Sequence, residues 1–426
     1  MIMSSRGVKP RLLIYSQDGL GLGHLRRTTV LADAFLDAIP EGSVLTISDS
    51  PVGQFFDTRD GHDYLKLPSI RKISPGNWAP VSVNLSFAEI LSLRKQTIRT
   101  AVSSFDPDVL LVDHMPHGAM GELVPALEAL KGSGTRIILG LRDILDAPAT
   151  IRRRWRLEGA FEAVERYFDD VLVYGSADVF DVAEQYAWPA QVADRLRYCG
   201  YVCAPPAFPD AAEVREHFLA DRPRGRLVVA MGGGGADAYG LFDTVLRAVP
   251  LLRAERDCVV VVVTGPFLPA TDRARLEQLA DGLPVQLLPA VPDSSAYLAA
   301  ADLVVAMAGY NTTAEILSLG APAVLVPRSG PSAEQQIRAA SFAERGWVRW
   351  VPPVALTPDS LAAEMSAALG RRLPVPATEP DLGGRQRAAA CLFDRAVGGG
   401  LASAADLPPS RASASQPNAV TSIGRG

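Results

Sequence analysis

Leu12-Leu13-Ile14-Tyr15 runs into Gly19-Leu20-Gly21-Leu22-Gly23-His24, and in the second half of the chain Leu227-Val228-Val229-Ala230 runs into Gly232-Gly233-Gly234-Gly235. A helical pattern follows each turn, Leu25 to Leu36 after the first and Tyr239 to Leu252 after the second. A strand that hands over to a helix through glycines leaves backbone N–H groups open at a positive helix end, which suits phosphate. Two such turns, each opening its own α/β half, predict twin nucleotide-type domains facing across a cleft.

The bulk numbers agree with this. A chain of 426 residues is too long for one core and fits two domains and a tail. Hydrophobic content of 48% with 21% charged residues is ordinary globular composition. A net charge of −5 argues against a general nucleic-acid binder. Cys199 and Cys203 have no second pair to complete a zinc site, and Cys258 opens an apolar run that reads as core. The expectation is a reducing cytosol. Met1 to Lys9 lacks the apolar stretch of a signal peptide, and the longest apolar run, Cys258 to Val263, is only strand-length.

In the first half, Arg11–Ser16, Ser43–Ser48, Val109–Asp113, Arg136–Leu141, Asp170–Tyr174 and Arg197–Cys199 read as strands. Runs this solid predict a parallel sheet covered on both faces. Ile70 to Leu91, punctuated by Pro75, Gly76, Trp78 and Pro80, reads as a long loop. The second set is Leu227–Ala230, Cys258–Thr264, Val285–Leu288, Leu303–Ala306, Ala323–Pro327 and Val348–Val351. The expected organisation is an N-terminal domain over 1–205, a linker over 206–222 and a C-terminal domain over 223–372. A helix over 381–397 follows, and then a Ser-, Ala- and Pro-rich disordered tail over 398–426.

The most specific pattern lies between Asp302 and Trp347. Strand Leu303–Ala306 ends in Gly309-Tyr310-Asn311-Thr312-Thr313, followed by Glu315 on a helix, Gly320-Ala321-Pro322, a strand, and Glu334-Gln335-Gln336. Thr312 and Thr313 stand where a helix start takes hydroxyl caps, and that N-terminus can hold a diphosphate. Glu315, one turn further on, is placed to accept hydrogen bonds from a diol such as a ribose. Gln335 and Gln336 offer amides to sugar hydroxyls.

This pattern resembles the C-terminal domain of glycosyltransferase family 28, which includes the N-acetylglucosaminyltransferase of lipid II synthesis. The resemblance spans roughly residues 225 to 350 and, more thinly, the N-terminal Gly-x-Gly-His turn. It implies a GT-B fold: two Rossmann-like domains with parallel sheets facing across a cleft, and a C-terminal helix returning to the N-terminal domain. It further implies that Glu315 binds the ribose, and that Gly232, Gly233, Gly234, Gly235, Gly309, Asn311 and Thr312 approach the phosphates. Gln335 and Gln336 would read the donor sugar, and the backbone around Val291 would face the base. Two departures stand out: Gly234 and Gly235 replace the family's usual Ser and Gln, and no Arg separates Glu334 from the glutamines.

In the N-terminal half, His24 ends the Gly21-Leu22-Gly23 turn at a helix start, whose positive end favours a neutral imidazole able to take a proton. The resemblance supports a general base here, since inverting GT-B transferases often carry a histidine on this loop. A Gly-x-Gly-His-x-x-Arg run also resembles the nucleotide-sugar hydrolase of pseudaminic acid synthesis. Asp113 follows a buried strand on the side where open α/β sheets bind ligands; it could orient a base, bind acceptor or cap a loop. Arg142 and Asp143, with Gly21 and Gly23, are expected on the acceptor side. His114 and His117 lack a third metal ligand, and Asp106-Pro107-Asp108 reads as the start of a strand rather than a metal motif.

The sequence therefore predicts an inverting glycosyltransferase that needs no metal or cofactor. It would move a sugar from a nucleotide diphosphate donor, UDP-linked by resemblance, to an acceptor hydroxyl or amine, with His24 as base. A nucleotide-sugar hydrolase on the same fold is the alternative, and a non-catalytic nucleotide-sugar binder a third. Arg152-Arg153-Arg154-Trp155-Arg156 reads as a solvated helix face or as a peripheral contact with anionic lipid at the inner membrane face.

Overall fold

The computed structural model describes residues 9–17, 23–51, 58–74, 77–205, 210–291, 293–370 and 378–398. The first half runs β1 (Arg11–Ser16), α1 (Gly23–Ala38), β2 (Ser43–Ser48), β3 (His62–Lys66), β4 (Ile70–Ser74), β5 (Asn77–Pro80) and α2 (Phe87–Phe105). It continues with β6 (Val109–Asp113), α3 (Val124–Leu130), β7 (Arg136–Arg142), α4 (Pro148–Leu157), α5 (Ala160–Tyr167), β8 (Asp170–Tyr174), α6 (Val182–Tyr186), α7 (Ala190–Ala193) and β9 (Leu196–Tyr198). The second half runs α8 (Ala211–Leu219), β10 (Arg226–Met231), α9 (Tyr239–Arg253), β11 (Cys258–Val263), α10 (Ala270–Ala280), β12 (Val285–Leu288), α11 (Ser294–Ala300) and β13 (Leu303–Ala306). After these come α12 (Tyr310–Leu319), β14 (Ala323–Leu325), α13 (Glu334–Glu344), β15 (Arg349–Trp350), α14 (Pro358–Gly370) and α15 (Gly384–Ala396).

Among the described residues, one parallel sheet has the order β3-β2-β1-β6-β7-β8-β9 and the other β12-β11-β10-β13-β14-β15. Both orders reverse direction beside their first strand, between β1 and β6 and between β10 and β13. Such switch points open a crevice at the strand carboxyl ends, where α/β sheets take ligands. The apolar runs read as strands are the sheet centres, with every residue of β6 and β8 buried.

Three expectations need correction. Ile70 to Leu91 is not a loop: β4 and β5 form an antiparallel hairpin, and α2 starts within the stretch on a Ser86–Glu89 capping box. Buried Ile70, Ile90 and Ala119, with Trp78 and Phe87 packed on them, supply its own small core. Arg94 of α2 pins the hairpin's base, bonding Glu122 at 2.5 Å and the Pro68 carbonyl at 2.6 Å. Second, β3 was not expected, because an edge strand reading His-Asp-Tyr-Leu-Lys buries little apolar surface. Third, the expected linker over 206–222 contains α8, which packs against α11 of the second half; residues 206–209 lie outside the described residues. The tail over 399–426 also lies outside them.

Helix α15 lies on the first half. It packs along α1, pairs Arg385 with Asp37, and sends Arg387 Nε to the Cys199 carbonyl at 2.7 Å. No described helix is long and apolar enough to cross a membrane.

Candidate active site

A cleft of about 1850 Å³ separates the two switch points. Pockets that bind one drug-sized ligand span about 300–1,000 Å³, so this one has room for a nucleotide sugar and a second substrate together.

The C-terminal wall begins at the glycine turn after β10. A Cβ at Gly232 would sit 2.3 Å from the Ala238 Cβ, and Gly235, at φ +92°, would carry one 2.2 Å from the Thr264 carbonyl oxygen. Only glycine fits this close-packed turn, and it brings residues 232–235 to the cleft as bare backbone. Facing it, α12 starts on Gly309, an N-cap without a side-chain hydrogen bond. The hydroxyl caps expected from Thr312 and Thr313 are absent, because the helix begins before them. The Thr313 hydroxyl donates back to the Gly309 and Tyr310 carbonyls at 2.9 Å each, while Gly309, Asn311 and Thr312 line the cleft.

Glu315 lines the cleft one turn into α12, with its side chain 11% exposed. Burial pushes its carboxyl up, and the Arg26 guanidinium, 2.6 Å away on α1, pulls in the opposite direction. Val291 and Gln335 also line the cleft. The side chain of Gln335 is partly committed, since its Oε1 accepts from the Arg328 N–H at 3.2 Å. Gln336 is not at the cleft. Its amide donates to the Arg328 and Ser329 carbonyls at 3.3 and 3.5 Å, bracing the loop before α13.

The N-terminal wall carries His24 in the first turn of α1 and Asp113 at the end of β6, beside Ser16 in register. His24 Nδ1 lies 2.5 Å from Asp113 Oδ2. Arg27 Nη2 reaches both carboxylate oxygens, at 2.9 and 2.7 Å. Its guanidinium rests between the rings of Tyr174 and Tyr310, at 5.3 and 5.2 Å. Burial alone would raise the Asp113 carboxyl, but Arg27 and His24 outweigh it and hold it well below the usual carboxylate range. An ionised Asp113 only accepts hydrogen bonds, so its 2.5 Å contact calls for a proton on His24 Nδ1. His114, at φ +81°, places its ring 5.2 Å from that of His24. Burial, with Arg142 and His24, lowers its pKa well below the ordinary value.

Gly23 lines the cleft, whereas Gly21 lies outside the described residues. Arg142 lines the cleft and bonds Glu334 across it at 2.9 Å. Asp143 does not face the cleft as expected. It is buried and held bidentate by Arg338 of α13 at 2.9 and 2.6 Å, tying the domains together. Trp155 also leaves its expected surface role, being buried between Phe161 and Trp188. Arg154 lines the cleft, leaving Arg152, Arg153 and Arg156 exposed on α4. No group of three His, Cys, Asp or Glu side chains among the described residues could hold a metal ion. Arg26, Arg27, Arg328 and Arg338 were not anticipated as site residues. For Arg338 the signal was present, an arginine within the apolar face of Ile337-Arg338-Ala339-Ala340.

Residues 227–378 match the family model of the glycosyltransferase family 28 C-terminal domain. A UDP-N-acetylglucosamine–N-acetylmuramyl-(pentapeptide) pyrophosphoryl-undecaprenol N-acetylglucosamine transferase of Ralstonia nicotianae is 34% identical over 193 residues, covering 42% of this chain and 52% of the relative. The chain thus spans about half the length of the curated relatives it matches. MurG of Acinetobacter baumannii superposes with a TM-score of 0.53 at 15% identity, over 90% of this chain and all of that one. A putative UDP-N-acetylglucosamine 2-epimerase of Listeria monocytogenes gives 0.61 at 14%, covering 91% and 95%. At such identities the likeness concerns the fold alone. Residues 227–378 thus resemble a glycosyltransferase family 28 C-terminal domain, and the chain as a whole shares the two-sheet fold of these solved structures.

Proposed function

We propose that this chain transfers a sugar, with inversion and without a metal, from a nucleoside diphosphate donor, UDP-linked by likeness to its relatives, to an acceptor hydroxyl or amine. The observation that carries this reading is the His24–Asp113 pair at one switch point, opposite the glycine turn and the α12 N-terminus at the other. His24 Nε2 takes the acceptor proton as the acceptor atom bonds to the anomeric carbon. The bond from that carbon to the diphosphate breaks, and its electron pair leaves with the phosphate oxygen. Asp113 stabilises the imidazolium, and backbone N–H groups at residues 232–234 and 309–312 receive the developing charge in place of a cation.

Hydrolysis would need only the donor half and a water. The N-terminal wall carries in addition an apolar patch, Ile70, Ile73, Trp78, Met120 and Val124, among its charged residues, which favours an organic acceptor. On the same reading, the exposed Arg152, Arg153 and Arg156 with Leu157 meet an anionic membrane surface. The test is incubation with a panel of nucleotide sugars, with and without cell extract, following free nucleoside diphosphate. Release that depends on extract is expected. Equal release without extract would replace transfer by hydrolysis.

A further inference from the structure

The carboxylate read above as the ribose acceptor draws its counter-charge from the other domain. Glu315 is almost fully buried in α12, and Arg26 Nη2 approaches it from α1 at 2.6 Å. The same Nη2 donates to Ser294 Oγ at 3.0 Å at the start of α11. Beside them Asn311 Nδ2 donates to the Gly23 carbonyl at 2.9 Å, joining the starts of α1 and α12. The groups acting on Glu315 are few. Arg26 favours the ionised form, Asp293, just before α11, opposes it, and Cys203 packs nearby as a thiol whose pKa burial has raised. A carboxylate accepts hydrogen bonds from both hydroxyls of a diol, whereas a carboxylic acid presents a proton to one of them.

We propose that Arg26 is a positioning residue of the nucleotide site, keeping Glu315 ionised and aimed at the ribose from the opposite domain. The donor site of the C-terminal domain is then complete only when α1 is docked against it. Arg26 stands two residues from His24, so the helix turn that presents the base is also held by the group that receives the nucleotide. This inference rests on the reading of Glu315 as the ribose acceptor.

Removing Arg26 leaves burial and Asp293 both disfavouring the charge, so the Glu315 carboxyl should titrate at higher pH. Losing one adjacent opposite charge shifts a carboxyl by about 1–3 pH units. The experiment is calorimetric titration of the full chain with UDP from pH 6 to pH 8.5, for wild type, Arg26→Gln, Arg26→Lys and Glu315→Gln. Dividing each variant's Kd by that of wild type at the same pH cancels the titration of UDP itself. For Arg26→Gln the ratio should be about 10 at pH 6 and fall to about 3 or less at pH 8.5, following that shift. Arg26→Lys, which restores the cation, should stay within about threefold of wild type throughout. Glu315→Gln, with nothing to titrate, should bind weakly with a ratio that does not change with pH. A flat ratio for Arg26→Gln, with Glu315→Gln still weak, would overturn the role of Arg26 and leave the nucleotide reading standing. Full affinity in Glu315→Gln, or no UDP binding by wild type, would instead remove the reading on which it rests.

Discussion

Replacing Asp113 by Asn keeps the size of the side chain and removes its charge, and the consequences follow from its three contacts. Asp113 is buried, accepts from Arg27 twice and holds His24 Nδ1 at 2.5 Å. In the variant one oxygen becomes an NH2 facing a donor, and the Arg27 guanidinium stays buried without its counter-ion. Breaking one partner of a buried pair costs about 3–5 kcal/mol, which urea unfolding followed by circular dichroism resolves easily. The folded-state pKa of Asp113 is depressed below its unfolded value, so its contribution is complete above that unfolded value and lost as pH falls through the folded one. The gap between wild type and variant should therefore shrink as pH falls below about 4, the unfolded carboxyl range. Adding Arg27→Met should recover part of the loss, because the unpaired charge goes with it. Turnover should fall by about 10³–10⁴-fold, as when the orienting carboxylate of a histidine base is neutralised. Fully additive losses in the double variant, or turnover within tenfold of wild type, would refute this reasoning.

Other consequences test the remaining walls of the cleft. Glu315→Ala should weaken UDP binding by about 1–3 kcal/mol, the scale for losing hydrogen bonds to a charged group; unchanged calorimetric affinity with an intact fold would remove it from the site. Trp78→Ala should slow transfer to the extract-derived acceptor by about ten- to a hundredfold, consistent with the ~1.5–3 kcal/mol of burying a large apolar side chain, while leaving UDP affinity unchanged. Loss of UDP binding in that variant would place Trp78 on the donor side. Co-sedimentation with vesicles rich in phosphatidylglycerol should be salt-sensitive and fall sharply in Arg152→Glu/Arg153→Glu/Arg156→Glu. Equal sedimentation of the triple variant would dismiss α4 as the contact.

The sheet centres were legible because parallel strands buried on both faces write unbroken apolar runs, as in Val109–Asp113 and Asp170–Tyr174. Edge strand β3 and the hairpin β4–β5 were not, since their stability comes from distant partners such as Arg94 and Ala119. Asp143 shows the same limit at the site. Its place just past β7 resembles that of Asp113 at the end of β6, yet Arg338, far along the chain on α13, draws it into the domain junction. The glycine turn and Glu315 could be singled out because their spacing is local. The arginines that neutralise Glu315, Asp113 and Asp143 come from other elements, and sequence spacing carries no record of those pairings.

The decisive measurement is the turnover and the UDP affinity of His24→Ala, taken side by side. With His24 as the base and the C-terminal domain holding the nucleotide, turnover should fall by about 10²–10⁴-fold while Kd for UDP stays within about threefold of wild type, under ~0.7 kcal/mol. A variant that retains more than about a third of wild-type turnover, well outside the range for a lost general base, would contradict the assignment of the His24–Asp113 pair as the catalytic centre.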